Sequence, residues 1–270
     1  MPFFASSGTQ IRFHPHAKIN LGLFIKGKRA DGYHLLETLL LPLPQLQDEL
    51  YLSLTSGTGC SLRMSGIPVQ GPAEDNLCVR AYHLLQARAG RLPGVHIELK
   101  KGIPAGAGLG GGSSDAAFTL RGINHICGLG FTREELANMA AELGADVPFF
   151  LYDQPMLAVG TGTTLSPFPL QTHFRVELHT PGIHSATAAA YGALDYRRCD
   201  PSRELAAVLK GPPHKWKELL TNDLEEPVFE RYPQLRKIKQ HFYERGAFYA
   251  AMSGSGSAVF GLFEPEKSIE

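Results

Sequence analysis

The sequence predicts an α+β protein in two lobes, and three observations carry that expectation. Its 270 residues, 43% hydrophobic and 19% charged, are enough to bury a sizeable core and suit one large domain or two medium ones. Segments of strand and helix character mix without a strict βαβ rhythm. Proline- and glycine-rich joints cluster at 154–169 and 210–213, which places a soft boundary near residue 154 and lobes at 1–153 and 154–270.

Taken in order, short apolar strands are expected at 12–14 and 21–25. Residues 49–54 alternate cleanly, and in 95–100 Val95, Ile97 and Leu99 share one face. The stretch 75–89 reads as a helix. Asp75 is its expected cap, Leu77, Ala81, Leu84 and Leu85 its stripe, and Gly90 its stop. A second helix, 132–143, opens on a Thr132/Glu135 capping box and stops at Gly144. Beyond the boundary come short strands at 156–159 and 174–179. Helices follow at 185–194 and at 233–245, the latter with Pro233 in its first turn and Gly246 after it. Strands 248–252 and 257–263 flank a glycine-serine turn. No internal repeat or low-complexity tract interrupts the pattern.

Composition removes several function classes. Lys+Arg and Asp+Glu both number 26, and zero net charge argues against a protein that tracks nucleic-acid phosphates. Cys60, Cys78, Cys127 and Cys199 form no CxxC pair, so neither a disulfide scaffold nor a zinc ribbon is expected. Residues 1–10 lack a basic-then-apolar leader, and no run of 18 apolar residues exists. The expectation is a cytoplasmic protein that does not engage a membrane.

The most informative stretch is 103–117, where five glycines in seven positions precede Ser113-Ser114 and an apolar helix with Ala116, Ala117, Leu120 and Ile123 inward. Glycine lets the backbone turn left-handed and approach a ligand closely. Amides at the start of a helix then face an anion. This describes a phosphate cradle. It is not a Walker A loop, because no Gly-Lys-Ser/Thr follows. Gly106-x-Gly108-x-x-Gly111 by itself is a weak dinucleotide signal, with no acidic partner some 20 residues on. A plain flexible loop is the ordinary alternative.

Pro104-x-Gly106-x-Gly108-Leu109-Gly110 running into Ser113-Ser114 resembles the ATP-phosphate loop of the GHMP kinases (galactose, homoserine, mevalonate and phosphomevalonate kinases). His16-Ala17-Lys18-Ile19-Asn20-Leu21-Gly22-Leu23 resembles their first motif. Met252-Ser253-Gly254-Ser255-Gly256-Ser257-Ala258-Val259 resembles their third. Further matches point to the branch acting on 4-diphosphocytidyl-2-C-methylerythritol. They are Arg29-Ala30-Asp31-Gly32-Tyr33-His34, Glu74-Asp75-Asn76-Leu77, Gly144-Ala145-Asp146-Val147-Pro148-Phe149-Phe150 and Thr221-Asn222-Asp223-Leu224-Glu225.

The resemblance implies a two-lobed GHMP kinase-type fold with the active site in the cleft between lobes. The first lobe would bind ATP and the second would be the GHMP-type C-terminal lobe. It implies ATP-dependent phosphorylation of the 2-hydroxyl of a small cytidine-diphosphate substrate, in non-mevalonate isoprenoid biosynthesis. Asp146 would be the base, and Lys18 would hold Asp146 ionised and stabilise charge on the transferred group. ATP would be met by Asn76, Leu77, Lys101, Pro104, Gly106, Gly108, Leu109, Gly110, Gly111, Gly112, Ser113 and Ser114. The acceptor would be met by Asn20, Asp146, Tyr33, His34 and Tyr191, the aromatics at the cytosine end. Mg²⁺ would ride mainly on the ATP phosphates, since no dedicated Asp/Glu pair beyond Asp146 is evident.

Val159 and Thr161 depart from the residues common in the branch, which puts contacts there in doubt. Two other readings stay open: a mevalonate- or homoserine-type kinase, and a catalytically silent nucleotide-binding sensor on the same fold.

Overall fold

The computed structural model describes residues 5, 6 and 8–265; half of the stretch 1–10 on which the leader expectation falls therefore lies outside the described residues. In chain order the first strands are β1 (Ala5–Ser6), β2 (Gln10–Phe13), β3 (His16–Lys28), β4 (His34–Gln47), β5 (Glu49–Thr55) and β6 (Cys60–Gly66). Helix α1 (Leu77–Ala89), strand β7 (Gly94–Lys101) and helices α2 (Gly111–Ile126) and α3 (Arg133–Leu143) follow. Then come β8 (Met156–Gly160), β9 (Thr164–Pro167), β10 (Arg175–His179), α4 (Thr187–Gly192), α5 (Leu205–Lys210) and α6 (Trp216–Leu219). The chain closes with α7 (Glu225–Arg231), α8 (Pro233–Glu244), β11 (Tyr249–Met252) and β12 (Val259–Phe263).

Two compact units result, each assembled from separate stretches. One comprises the chain up to Lys18 with Pro42–Ala105 and Gly110–Asp153; the other comprises Ile19–Leu41, Gly106–Leu109 and the chain from Gln154. In the first, a five-stranded sheet runs in the order β1-β2-β5-β7-β6, with β6 parallel to β7 and the other pairs antiparallel. Val95, Ile97 and Leu99 point into its core, as their alternation predicts. Helix α2 lies on this sheet so closely that a Cβ on Gly122 would stand 2.3 Å from Leu52 and 2.8 Å from Phe13. In the second unit a sheet of order β10-β12-β11 carries α8, whose Phe242 ring occupies the space a Gly261 side chain would need. Leu23, Ile25, Leu224, Val228, Leu235 and Phe242 belong to its core. A further sheet has the order β3-β4-β8-β9.

Several expectations need correcting. Asn76, not Asp75, caps α1, because its Oδ1 accepts from the Cys78 amide at 2.9 Å while Asp75 ends a preceding 3-10 turn. The strand expected at 21–25 is thirteen residues long and begins at His16. Nearly all of it is buried on both faces, so no alternation marks its length. Strand β4, not among the sequence expectations, carries Pro42 and Pro44 within it, residues that disfavour a strand interior. The helix expected at 185–194 spans only Thr187–Gly192, and the short helices α5 to α7 carry no periodic signal. By contrast, the Thr132/Glu135 capping box forms as predicted. No helix among the described residues is long and apolar enough to cross a membrane.

Candidate active site

The glycine-rich stretch forms the expected loop ahead of α2. Gly106, Gly108 and Gly110 take φ of +65°, +76° and +70°, conformations that L side chains avoid. Gly108 has a second constraint: an added Cβ would lie 2.0 Å from the Ser253 carbonyl oxygen. The turn of the third motif holds this half of the loop. Ser253 Oγ donates to Gly108 O at 2.8 Å, and the Ala258 amide donates to Ala107 O at 3.0 Å. The Ser185 amide donates to Gly106 O, and His184 packs over Gly106.

Past the loop, α2 starts without a side-chain cap, so its first amides are open to an anion. Ser113 and Ser114 fall within its first turn rather than before it. The Ser114 hydroxyl is fully buried and has no hydrogen-bond partner among the described residues. Leu77 lies beside Gly112, 3.8 Å from the position of an added Cβ. The side chain of Asn76, expected at the adenine edge, is engaged locally, in the α1 cap and with Met64 Sδ at 3.4 Å.

Lys18 and Asp146 meet in the first unit, with Nζ 3.2 Å from Oδ2. The lysine side chain is 4% exposed and the aspartate 39%, so a buried cation points at a carboxylate that solvent or a ligand can reach. The lysine stem runs against the start of α2, where a Gly110 Cβ would fall 3.0 Å from Lys18 Cγ and 2.8 Å from Phe150. Asp146 sits in the turn after α3, which the Val147 amide closes onto Gly144 O at 3.1 Å. The 3-10 turn Pro148–Leu151 follows at once. The sequence places a carboxylate and an ammonium 128 residues apart, and the fold makes them an ion pair beside the phosphate loop.

Lys101, expected near the base or the phosphates, lies beside the start of α2, its Nζ 3.3 Å from where a Gly111 Cβ would stand, and is paired there with protein carboxylates. Its ammonium is buried between Asp48 and Asp115, donating to Asp115 Oδ2 at 2.6 Å and to Asp48 Oδ2. Burial opposes the lysine charge, but the two carboxylates hold its proton above the ordinary range. Burial, opposed by Lys101 and reinforced by Asp48, pushes the Asp115 carboxyl up to about 8. Asp48 also accepts from the Gly102 amide and, at 2.8 Å, from the Ile103 amide, which anchors the entry to the loop.

In the second unit Asn20 is buried and held by its neighbours. Its Nδ2 donates to Thr38 Oγ1 at 3.1 Å, and its amide donates to Ser253 Oγ at 3.2 Å. His34 and Tyr191 come together with ring centroids 4.6 Å apart, whereas the Tyr33 ring stands 66% exposed. Burial, aided by Lys28, lowers the pKa of His34. Tyr196, which sequence reasoning missed, bonds His34 Nε2 through its hydroxyl, the two ring planes within 5° of parallel. The partners Thr38, Asp48 and Asp115 were also missed. Ser253 and Asp115 lie inside recognised stretches, whereas Thr38 and Asp48 do not, because their contacts join residues with no common local pattern.

Comparison with known proteins gives the family. GHMP kinases N terminal domain matches residues 76–154, and GHMP kinases C terminal matches 205–270. A 4-diphosphocytidyl-2-C-methyl-D-erythritol kinase of Parabacteroides distasonis is 44% identical over 251 residues, 93% of this chain and 90% of its own. One of Chlorobium phaeobacteroides is 44% identical over 260 residues, 94% and 89%. The crystal structure of a 4-(cytidine 5'-diphospho)-2C-methyl-D-erythritol kinase, 37% identical, matches at a TM-score of 0.79 over 93% of this chain and 89% of its own. A homoserine kinase from Cytophaga hutchinsonii, 19% identical, shares the fold at 0.75 over 98% and 88%. With both family models matched and relatives this similar along nearly its whole length, the chain belongs to the GHMP kinases, in the family of the 4-diphosphocytidyl-2-C-methyl-D-erythritol kinases.

Proposed function

We propose that the protein transfers the γ-phosphoryl group of ATP to the 2-hydroxyl of 4-diphosphocytidyl-2-C-methyl-D-erythritol, a step in making isoprenoid precursors without mevalonate. The observation that carries this reading is the buried Lys18 ammonium held 3.2 Å from the accessible Asp146 carboxylate, beside the loop that opens α2. Phosphoryl transfer asks a protein for positioning, charge neutralisation and a group to take the hydroxyl proton.

Asp146 accepts that proton as the hydroxyl oxygen attacks. Lys18, paired with Asp146 at 3.2 Å, stabilises negative charge on the transferred group. The amides of Gly111, Gly112 and Ser113 receive phosphate oxygens. Asn20, fixed by Thr38 and Ser253, orients the acceptor, and His34 and Tyr191 offer flat surfaces to the cytosine. Mg²⁺ bound with ATP would neutralise charge on the phosphates; among the described residues no three His, Cys, Asp or Glu side chains are grouped to hold a metal ion.

The test is ADP release with ATP·Mg²⁺ and three acceptors: the cytidyl compound, mevalonate and homoserine. Turnover with the cytidyl compound alone is expected. Turnover with another acceptor would discard the cytosine site, and ATP binding with no turnover on any acceptor would leave a nucleotide sensor.

A further inference from the structure

Two residues before Lys18 on β3, His16 is buried with its ring edge-on to Phe118 and tilted against Phe150. Both ring nitrogens face acceptors: Nδ1 lies 2.8 Å from Ala17 O and Nε2 lies 3.0 Å from Asp153 Oδ1. Each ring nitrogen thus has a protein oxygen within hydrogen-bond distance, which fixes the plane of the ring. The other oxygen of Asp153 accepts from Arg121 Nη1 of α2 at 3.2 Å. Burial would raise the Asp153 carboxyl pKa, yet the His16 hydrogen bond and the Arg121 charge hold it below the usual range.

Asp153 is also the sole non-glycine residue, among those described, at a left-handed φ (+53°). Such a conformation persists where surrounding contacts over-determine it. Here two contacts hold it, from His16 and from Arg121. One carboxylate ties together the strand that presents Lys18, the helix whose first turn follows the phosphate loop, and the chain seven residues after Asp146. Residues i and i+2 of a strand share a face, so a pull on His16 reaches Lys18 through a single pleat. Phe150 closes the figure, touching His16 on one side and the Gly110–Lys18 contact on the other.

We propose that Asp153 is a positioning residue for phosphoryl transfer: with His16 and Arg121 it clamps β3, α2 and the Asp146 segment so that Lys18 meets Asp146 in register with the phosphate loop. The proposal rests on the catalytic reading of Lys18 and Asp146. A pair displaced by about 1 Å costs on the order of 100-fold in rate while leaving substrate contacts in place.

Asp153→Asn keeps the size and the tolerance of positive φ but removes the charge. Asp153→Gly relieves the backbone and removes the whole clamp. Both are expected to lower kcat about 10- to 100-fold with KM for ATP and for the acceptor changed less than about threefold. His16→Gln retains one donor and is expected to lower kcat less. The His16→Gln/Asp153→Asn double variant should lose no more than Asp153→Asn alone, since the two residues act through one contact.

Measured well below each protein's melting temperature, kcat within twofold of wild type in Asp153→Asn or Asp153→Gly would overturn the proposal. So would single-variant losses that multiply in the double variant. If Asp153→Gly does not fold, the cycle of His16→Gln and Asp153→Asn decides. Asp146→Asn, assayed alongside, separates the two ideas: a loss there with Asp153 variants unaffected sinks only the clamp, whereas an active Asp146→Asn sinks the catalytic reading beneath it.

Discussion

Replacing Gly108 and Gly112 by alanine adds the same methyl group four residues apart, and the structure gives the two changes opposite signs. At Gly108, φ is +76° and the new Cβ falls 2.0 Å from the Ser253 carbonyl oxygen and 3.2 Å from the Gly256 amide nitrogen. Those are backbone atoms, so no side-chain rotation relieves the clash. The left-handed conformation costs an alanine about 1–2 kcal/mol. Moving the loop away breaks the Ser253 Oγ to Gly108 O hydrogen bond of a fully buried hydroxyl, worth about 1–3 kcal/mol. The sum is roughly 2–5 kcal/mol, and at about 2–4 °C per kcal/mol the melting temperature should fall by roughly 5–15 °C.

At Gly112 the added Cβ meets only Leu77 Cδ1 at 3.8 Å, an ordinary contact. Alanine is favoured over glycine in a helix by about 0.5–1 kcal/mol, so the melting temperature should rise by about 1–3 °C. The assay is a thermal melt of both variants with and without ATP. If the amides at 111–113 receive phosphate, Gly112→Ala should also show a smaller ATP-induced rise than wild type despite its higher starting point. A Gly108→Ala protein melting within 1 °C of wild type, or a destabilised Gly112→Ala, would refute this account of the loop.

Other outcomes follow from the same geometry. Asp146→Asn should reduce kcat by about 10²–10⁴-fold while ATP still binds, read by single-turnover kinetics and calorimetry. Lys101→Met removes the ammonium that buried Asp48 and Asp115 share, and should cost about 3–5 kcal/mol in urea unfolding; a change under 1 kcal/mol would contradict the triad. With the Asp115 carboxyl raised to about 8, the folded protein holds a proton that the unfolded chain releases near pH 4. Stability relative to Asp115→Asn should therefore decline as pH rises from 4 to 8, and parallel pH profiles of the two proteins would rule it out. Tyr196→Phe loses one hydrogen bond to His34, worth about 1 kcal/mol, and is expected to raise KM for the cytidyl acceptor about fivefold with KM for ATP unchanged.

What the sequence by itself determined was local. The Thr132/Glu135 box, the alternation of β7 and the glycine spacing ahead of α2 are legible because capping, pleating and left-handed turns depend on residues a few positions apart. Order along the chain also carried the three motifs, and with them the family. The tertiary structure decided which polar groups meet. Lys18 finds Asp146 across 128 residues, Lys101 is taken by Asp48 and Asp115, and Tyr196 rather than Tyr33 joins His34. A lone lysine or tyrosine has no periodicity to read, and its partner is chosen by burial, which forces a charge or hydroxyl to pair with whatever the packing brings near. Strand β3 shows the same limit in apolar form: buried on both faces, it erases the alternation that would have announced it.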